Sequence, residues 1–320
     1  MRFRFLCSSI LFLLPNLFDT INTGTIQDKR VIANFNSDKQ VVYSGELITF
    51  FDKSEGEPSE HVWHFEKGIP SVTVETQPKV FYAKAGIYDV KYVVSDGLSF
   101  DTNIKNDHVL VKGTVMDMKF NGYLFDDILS HDLDCSVKLP LTYVRDRKEL
   151  PAKAIQFHKG TKIIALPTLD YLGNEVTVSV WVKSDRMGTI NTTLVEKYGG
   201  RESDLGFSLS IIDGRAHFQG RDGSNFLRDS GLSKTAIDDG QWHHLVGIMT
   251  NQSRWQIWVD GIMESEQINK YDIPFINNRF PVTIGYSDHN NSDDFEGQLD
   301  DLKIFNMNLG LTAITELYTH

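Results

Sequence analysis

Cysteine is almost missing from this chain. Of the two present, Cys7 sits at the extreme N-terminus and Cys135 in the interior, so no disulfide framework organises the fold. Cys135 reads as a small, half-buried residue, because no cluster of His, Lys or Arg lies beside it in sequence to activate a thiol. Basic charge is also in short supply: 32 Lys and Arg against 43 Asp and Glu give a net charge of −11. With no basic patch, nucleic acid is excluded as a partner, since neutralising phosphates needs clustered cations. The acidity serves solubility or cation binding. Helical periodicity is confined to one segment near Thr312 to Tyr318. A long apolar run is lacking too. The one candidate, Phe5 to Phe18 behind Arg2 and Arg4, is broken by Ser8, Ser9, Pro15 and Asn16 and is too short for a comfortable membrane span. It reads as a secretory signal peptide over residues 1–24, with a retained N-terminal anchor as the alternative because no Ala-x-Ala site follows. The mature chain is then soluble, without a stable membrane span, and secreted, periplasmic or at the cell surface.

What is present is strand pattern. The 320 residues suggest two domains. Val178, Val180 and Val182 alternate with Ser179, Trp181 and Lys183, and Phe207, Leu209 and Ile211 alternate with Ser208, Ser210 and Ile212. Turn signals follow at Asp213-Gly214 and at Asp260-Gly261, the latter after Gln256-Ile257-Trp258-Val259. Short strands with turn dipeptides between them predict an all-β chain built of sandwiches. Upstream, Tyr88, Val90, Tyr92 and Val94 alternate with more polar residues, and Trp63 and Phe65 repeat at period two.

Several segments carry a resemblance. Phe120-Asn121-Gly122 with Asp126, then Asp146-Arg147, Val176 to Lys183, Gly240-Gln241-Trp242-His243-His244, Ile257-Trp258-Val259-Asp260-Gly261, Ile284-Gly285 and Phe295-Glu296-Gly297-Gln298-Leu299-Asp300-Asp301-Leu302 occur in that order. Over residues 114–320 this resembles the laminin-G-like branch of the concanavalin A-like jelly rolls. Residues 31–112 are similar to the PKD repeat, an immunoglobulin-like β-sandwich, through Val62-Trp63-His64-Phe65 and Tyr82 to Gly97, with His64 in place of the family's aspartate. Such a module implies a spacer or contact platform and no chemistry. Lys112-Gly113-Thr114 is the expected hinge between the two.

The jelly-roll resemblance implies that first and last strands lie side by side with a structural calcium near them, placing Asp126, Asp300 and Asp301 as metal ligands, with Asn121 adding a carbonyl. The alternative is that Asp300 or Asp301 caps a turn. The acidic run Asp288 to Asp294 is read as a solvated loop tip or, less simply, a metal loop. His243 and His244 do not form a zinc site, because neighbours on a strand point to opposite faces. For a ligand surface the candidates are Tyr198 and Arg201, and the pair Arg254 and Trp255, as exposed aromatic and polar groups suited to sugars. Trp181, Trp242 and Trp258 are assigned to the core.

Retaining glycoside hydrolysis needs two carboxylates roughly 5 Å apart. No strand carries an alternating acid pattern, Glu264-Ser265-Glu266 being the nearest approach, and no Gly-x-Ser-x-Gly is present. The sequence therefore reads as an exported, non-catalytic binding protein for a glycan, a polysaccharide or a surface protein. The alternatives are a structural or adhesion component making only protein contacts, and a polysaccharide-degrading enzyme.

Overall fold

The structure, a computed structural model, describes residues 30–124, 134–137, 140–166, 172–185, 191–197, 206–221, 227–268, 280–287 and 294–320. The signal-like segment, residues 1–24, lies outside them. Among the described residues the chain is β-structure apart from one helix, Leu311–Thr319, where the sequence shows its single helical pattern.

The N-terminal unit is a sandwich. A three-stranded sheet (Phe35–Ser37, Leu47–Asp52, Lys79–Phe81) faces a five-stranded one ordered Val41–Tyr43, Phe100–Lys112, Gly86–Ser95, Glu60–Phe65, Val72–Thr73. Its core takes the inward members of each alternation, including Phe35, Phe50, Trp63, Phe65, Val90 and Tyr92. Trp63 is the centre of this core, stacked on Tyr92 at 3.8 Å and met edge-on by Phe35 at 5.4 Å. Its indole N–H donates to the Glu75 carbonyl at 3.0 Å, so the buried ring has a partner for its one polar atom.

The larger sandwich has two sheets. The first orders its strands Asp134–Val137, Ile163–Leu166, Val282–Ile284, Asn191–Lys197, Gly206–Ile212, Arg215–Arg221 and Leu227–Ala236. The second runs Thr142–Val144, Ala154–Phe157, Gly297–Phe305, Val176–Lys183, Trp242–Met249, Arg254–Val259 and Ile262–Ile268, with Thr114–Met118 also pairing with Gly297–Phe305. The first and last strands of this unit are thus neighbours, as the resemblance implied, with Met118 opposite Leu302. Each sheet turns one apolar face inward: Val195, Phe207, Leu209, Phe218 and Ile284 from one, Val178, Val180, Val182, Leu245, Ile257 and Leu299 from the other. The two sheets approach closely at Gly247. A Cβ there would lie 2.3 Å from the Phe218 ring, so only glycine fits beneath that ring.

The strand parity reverses two expectations about tryptophan. Trp255, proposed as a ligand-facing aromatic, shares the inward set with Ile257 and Val259 and packs on Phe218 at 5.4 Å. Trp242 and Trp258, assigned to the core, leave the opposite face and are half-buried, Trp258 packing there against the small apolar cluster of Val246, Ile248 and Ile314. The reason is that Arg254, Gln256 and Trp258 form the outward set of the same strand.

The expected hinge is tied down. Asn306, buried, accepts from the Gly113 amide at 2.8 Å and donates to the Val111 carbonyl at 2.9 Å, clasping the junction from the last strand's end. Lys112 pairs with the buried Glu175, which also accepts from Asn308. Ala85 of the N-terminal unit packs against the larger core. The link between the sandwiches is therefore a bonded seam. Asn306→Ala orphans both groups and is expected to cost about 1–3 kcal/mol; small-angle scattering should show a broadened distance distribution, and an unchanged one would contradict the seam. Gly247→Ala is expected to cost about 1–3 kcal/mol in urea unfolding through overpacking against Phe218, and a neutral result would show that the sheets separate freely.

Candidate functional site

Because both inward faces are apolar, chemistry is restricted to the outward ones. The outer face of the seven-stranded sheet is largely polar, with Ile164 and Leu232 as apolar members. Cross-strand partners share a face, and the register places Ile164, Thr283, Glu196, Ser208, Gln219 and Asp229 in one row across six strands. A second row holds Thr193, Ser210, His217 and Leu232. A bulge between Thr193 and Val195 lets Leu194 and Val195 both face the core while Glu196 keeps to the outer row.

These side chains point away from the apolar core and yet are buried: Glu196 is 1% exposed, Ser210 2%, His217 7%. Glu196 accepts from the Ser287 hydroxyl at 2.9 Å. His217 Nε2 lies 3.7 Å from the Asp229 carboxylate. Burial holds His217 below its ordinary pKa, with Asp229 only partly opposing, so it is a neutral imidazole at neutral pH. The Ser208 and Ser210 hydroxyls and His217 Nδ1 have no hydrogen-bond partner among the described residues. Each such buried group costs about 1–3 kcal/mol. Three of them lie on adjacent strands of one face.

Its two carboxylates, Glu196 and Asp229, are three strands apart in the row, which at ~4.8 Å per strand is about 14 Å. Glycosidic cleavage uses pairs about 5–9.5 Å apart, closer than this pair.

The other sheet's outer face carries the residues first suspected of holding metal. Asp300 and Asp301 both reach one guanidinium: Arg147 Nη1 lies 2.6 Å from Asp300 Oδ2 and 2.8 Å from Asp301 Oδ2. Consecutive strand residues normally diverge. Here the register slips opposite Val180 and Asp301 takes a left-handed conformation (φ 45°), so both acids emerge on the same side. Asp126 lies outside the described residues. Among those that are described, no group of three or more His, Cys, Asp or Glu is placed to hold a metal ion, and the Asp300–Asp301 charge is met by Arg147. The guanidinium stacks 4.6 Å above Trp181, whose ring also contacts Tyr318 of the helix and His244. A cavity of about 300 Å³ opens between this cluster and the helix.

The histidine pair diverges as strand parity requires. His243 sits between Asp260 at 2.8 Å and Asp239 at 3.2 Å, whereas His244 bonds Ser179 Oγ at 2.8 Å on the other face. Tyr198 and Arg201 lie outside the described residues, as does most of the acidic run; its last member, Asp294, accepts from the Gly160 amide at 3.0 Å. Cys135 lies on a strand opposite Ala165. Sequence reading missed Glu196, Ser208, Ser210, His217 and Arg147. The alternation Phe207-Ser208-Leu209-Ser210-Ile211 marked the serine face, but nothing local joined it to His217 or Glu196.

Burial pushes His244 down to about 4, with Arg147 adding to the effect and Asp260 opposing it. Because its folded value is depressed, the stability it carries is present above its ordinary 6.5 and is lost as pH falls toward 4. Asp300, driven up to about 7 by burial and by Asp301 against the pull of Arg147, acts in the opposite sense, as does His243, raised first by its bond to Asp260. Comparison with His244→Phe isolates the one histidine. Between pH 7 and 4.5 wild type is expected to lose about 2–3 kcal/mol more than the variant in urea melts; parallel losses would contradict the burial of a neutral ring.

Comparison with known proteins agrees with this geometry. Residues 158–315 match the laminin G family model described as the concanavalin A-like lectin/glucanases superfamily. The match begins later than the resemblance suggested, although Val115, Met116, Met118 and Phe120 already belong to the larger core. No curated protein matches the chain at a significant level. Among solved structures, the binding domain of Paraclostridial mosquitocidal protein 1 superposes with a TM-score of 0.52 at 16% identity, covering 64% of this chain and 51% of that one. Domain 4 of AbnA, an extracellular GH43 arabinanase from Geobacillus stearothermophilus solved with arabinotriose, gives 0.51 at 21%, covering 65% and 98%. A structure of botulinum neurotoxin type C, whose cell entry depends on two ganglioside molecules, gives 0.50 at 13%, covering 64% and 50%. The chain thus spans about half the length of the two toxin structures and nearly all of the arabinanase domain. At these identities the likeness is one of fold: the larger unit is a concanavalin A-like, laminin-G-like jelly-roll sandwich.

Proposed function

We propose that this protein is a non-catalytic carbohydrate-binding protein that holds a glycan on the outer face of its seven-stranded sheet. The observation that carries the reading is the set of unpartnered buried groups there, Ser208 Oγ, Ser210 Oγ and His217 Nδ1. Each sugar hydroxyl both donates and accepts, so it can meet two hydroxyls and an imidazole nitrogen whatever tautomer the ring holds. Glu196 and Asp229 add acceptors beside the neutral His217. Two structural neighbours, an arabinanase domain solved with arabinotriose and a toxin that depends on gangliosides, support a sugar as the ligand class. The PKD-like unit then acts as a rigid spacer. An extracellular address rests on the Arg2 and Arg4 start and the interrupted apolar run behind it.

Protein adhesion is a second reading. It is favoured by the N-terminal unit, which exposes Val72, Val74, Leu98, Phe100 and Ile104.

Ser208→Ala with Ser210→Ala separates the two readings. Removing unpartnered hydroxyls should leave the fold as stable or raise it by up to about 1 kcal/mol per site. Glycan affinity on an array of plant and animal oligosaccharides, confirmed by calorimetry, should fall at least about tenfold, a loss of ~1.4 kcal/mol. Unchanged affinity in a stable double variant would remove this face from the function, and surface attachment indifferent to sugar would favour adhesion.

A further inference from the structure

The outer face of the eight-stranded sheet is divided. At one end the helix covers it, Ile314 packing with Val246 and Ile248. In the middle the Arg147 cluster fills it. The far end is open, and there a cleft of about 530 Å³ is lined by Gln156, His158, Lys183, Asp185, Glu296 and Gln298, over a floor of Phe157 and Gly297. That volume falls within the roughly 300–1,000 Å³ of small-molecule sites.

The cleft is assembled by register. Gln156 is opposite Gln298, Gln298 opposite Lys183, and Lys183 opposite Trp242, so four side chains from four adjacent strands emerge in one row. The two amides are fixed before any ligand arrives. Gln298 donates to Gln156 Oε1 at 3.1 Å, and Gln156 donates to the Phe157 and Gly297 carbonyls at 3.0 Å each. This chain of bonds sets the amide orientations and turns the Gln298 carbonyl oxygen into an acceptor with no described donor. Lys183, half-buried beside it, has no hydrogen-bond or ion-pair partner among the described residues, and neither has Asp185 at the rim. Lys303 on the same face, by contrast, is paired with Asp117. Trp242, half-buried, continues the row opposite Lys183, beside the cleft.

We infer that this cleft is a second carbohydrate site, selective for neutral saccharides, on the sheet opposite the first. The ammonium supplies donors, the amide and carboxylates supply acceptors, and an indole stands beside them, which is the mix that hydroxyls and the apolar face of a pyranose or furanose ring require. Asp185 and Glu296 at the rim repel uronates and sulfated sugars. Two sites on opposite faces make the protein divalent, able to bridge glycan chains or to gain avidity on one surface.

The test labels the full chain with 5-fluorotryptophan, assigns Trp242 through Trp242→Phe, and titrates arabinotriose, xylotetraose, cellotetraose and mannotetraose. Lys183→Met keeps the aliphatic stem and removes only an unpartnered charge, so it should fold as wild type does. The expected result is a saturable shift of the Trp242 fluorine signal with at least one saccharide, retained in the Ser208→Ala, Ser210→Ala background and weakened at least tenfold by Lys183→Met. A Trp242 signal silent to all four saccharides, or a shift that Lys183→Met leaves intact, would overturn the second site. A shift abolished by the serine substitutions would also overturn it, by showing one site seen from two places. Loss of the first site alone would show instead as serine variants that bind as wild type does.

Discussion

Everything functional in the larger unit follows from one constraint: its two sheets seal a single apolar core between them. Phe218 lies on Gly247 with no room for a methyl group, and Val178, Val180 and Val182 fill the same interface from the central strand. With both inner faces committed largely to hydrocarbon, most polar side chains of those strands leave by the outer faces. The period of two that builds the core thereby also builds two polar surfaces, one on each side.

The two surfaces solve the burial of polar groups differently. On the eight-stranded sheet the charges are matched within the protein: Asp300 and Asp301 share Arg147, Lys303 holds Asp117, and His244 stays neutral against Ser179. On the seven-stranded sheet the matching stops short, leaving Ser208, Ser210 and His217 with unused hydrogen-bonding capacity. His244 Nδ1 is unpartnered on the other sheet as well, so it is the clustering of Ser208, Ser210 and His217 on adjacent strands of one face that supports the proposed placement of the ligand. The bonded seam at Gly113 then matters for presentation. With Asn306 and the Lys112–Glu175 pair closing the junction, the two sandwiches are bonded together there, which would fix how the proposed binding face is held.

The all-β architecture was legible because strand alternation is a local signal. Val176 to Lys183 and Phe207 to Ile211 announce their inward and outward sets without help from the rest of the chain, and the segment near Thr312 announces its helix. What was not legible depends on distant partners. Arg147 becomes the counter-ion of Asp300 and Asp301 only because a bulge turns two consecutive acids to one side. Glu196, His217 and Asp229 share a face only through the register of four strands. Trp255 entered the main core and Trp258 the outer face under the helix because their parity relative to the core is set by strand pairing, and composition says nothing of it. The hinge at Gly113 was misread for the same reason: Asn306, which ties it, is 193 residues away in sequence.

The most direct test of the central claim is a crystal structure of the full chain with a bound saccharide taken from the array. The account predicts sugar hydroxyls within hydrogen-bond distance of Ser208 Oγ, Ser210 Oγ and His217 Nδ1, with Glu196 and Asp229 flanking them. A saccharide bound elsewhere, with those three atoms still unpartnered or satisfied only by the protein's own groups, would contradict it.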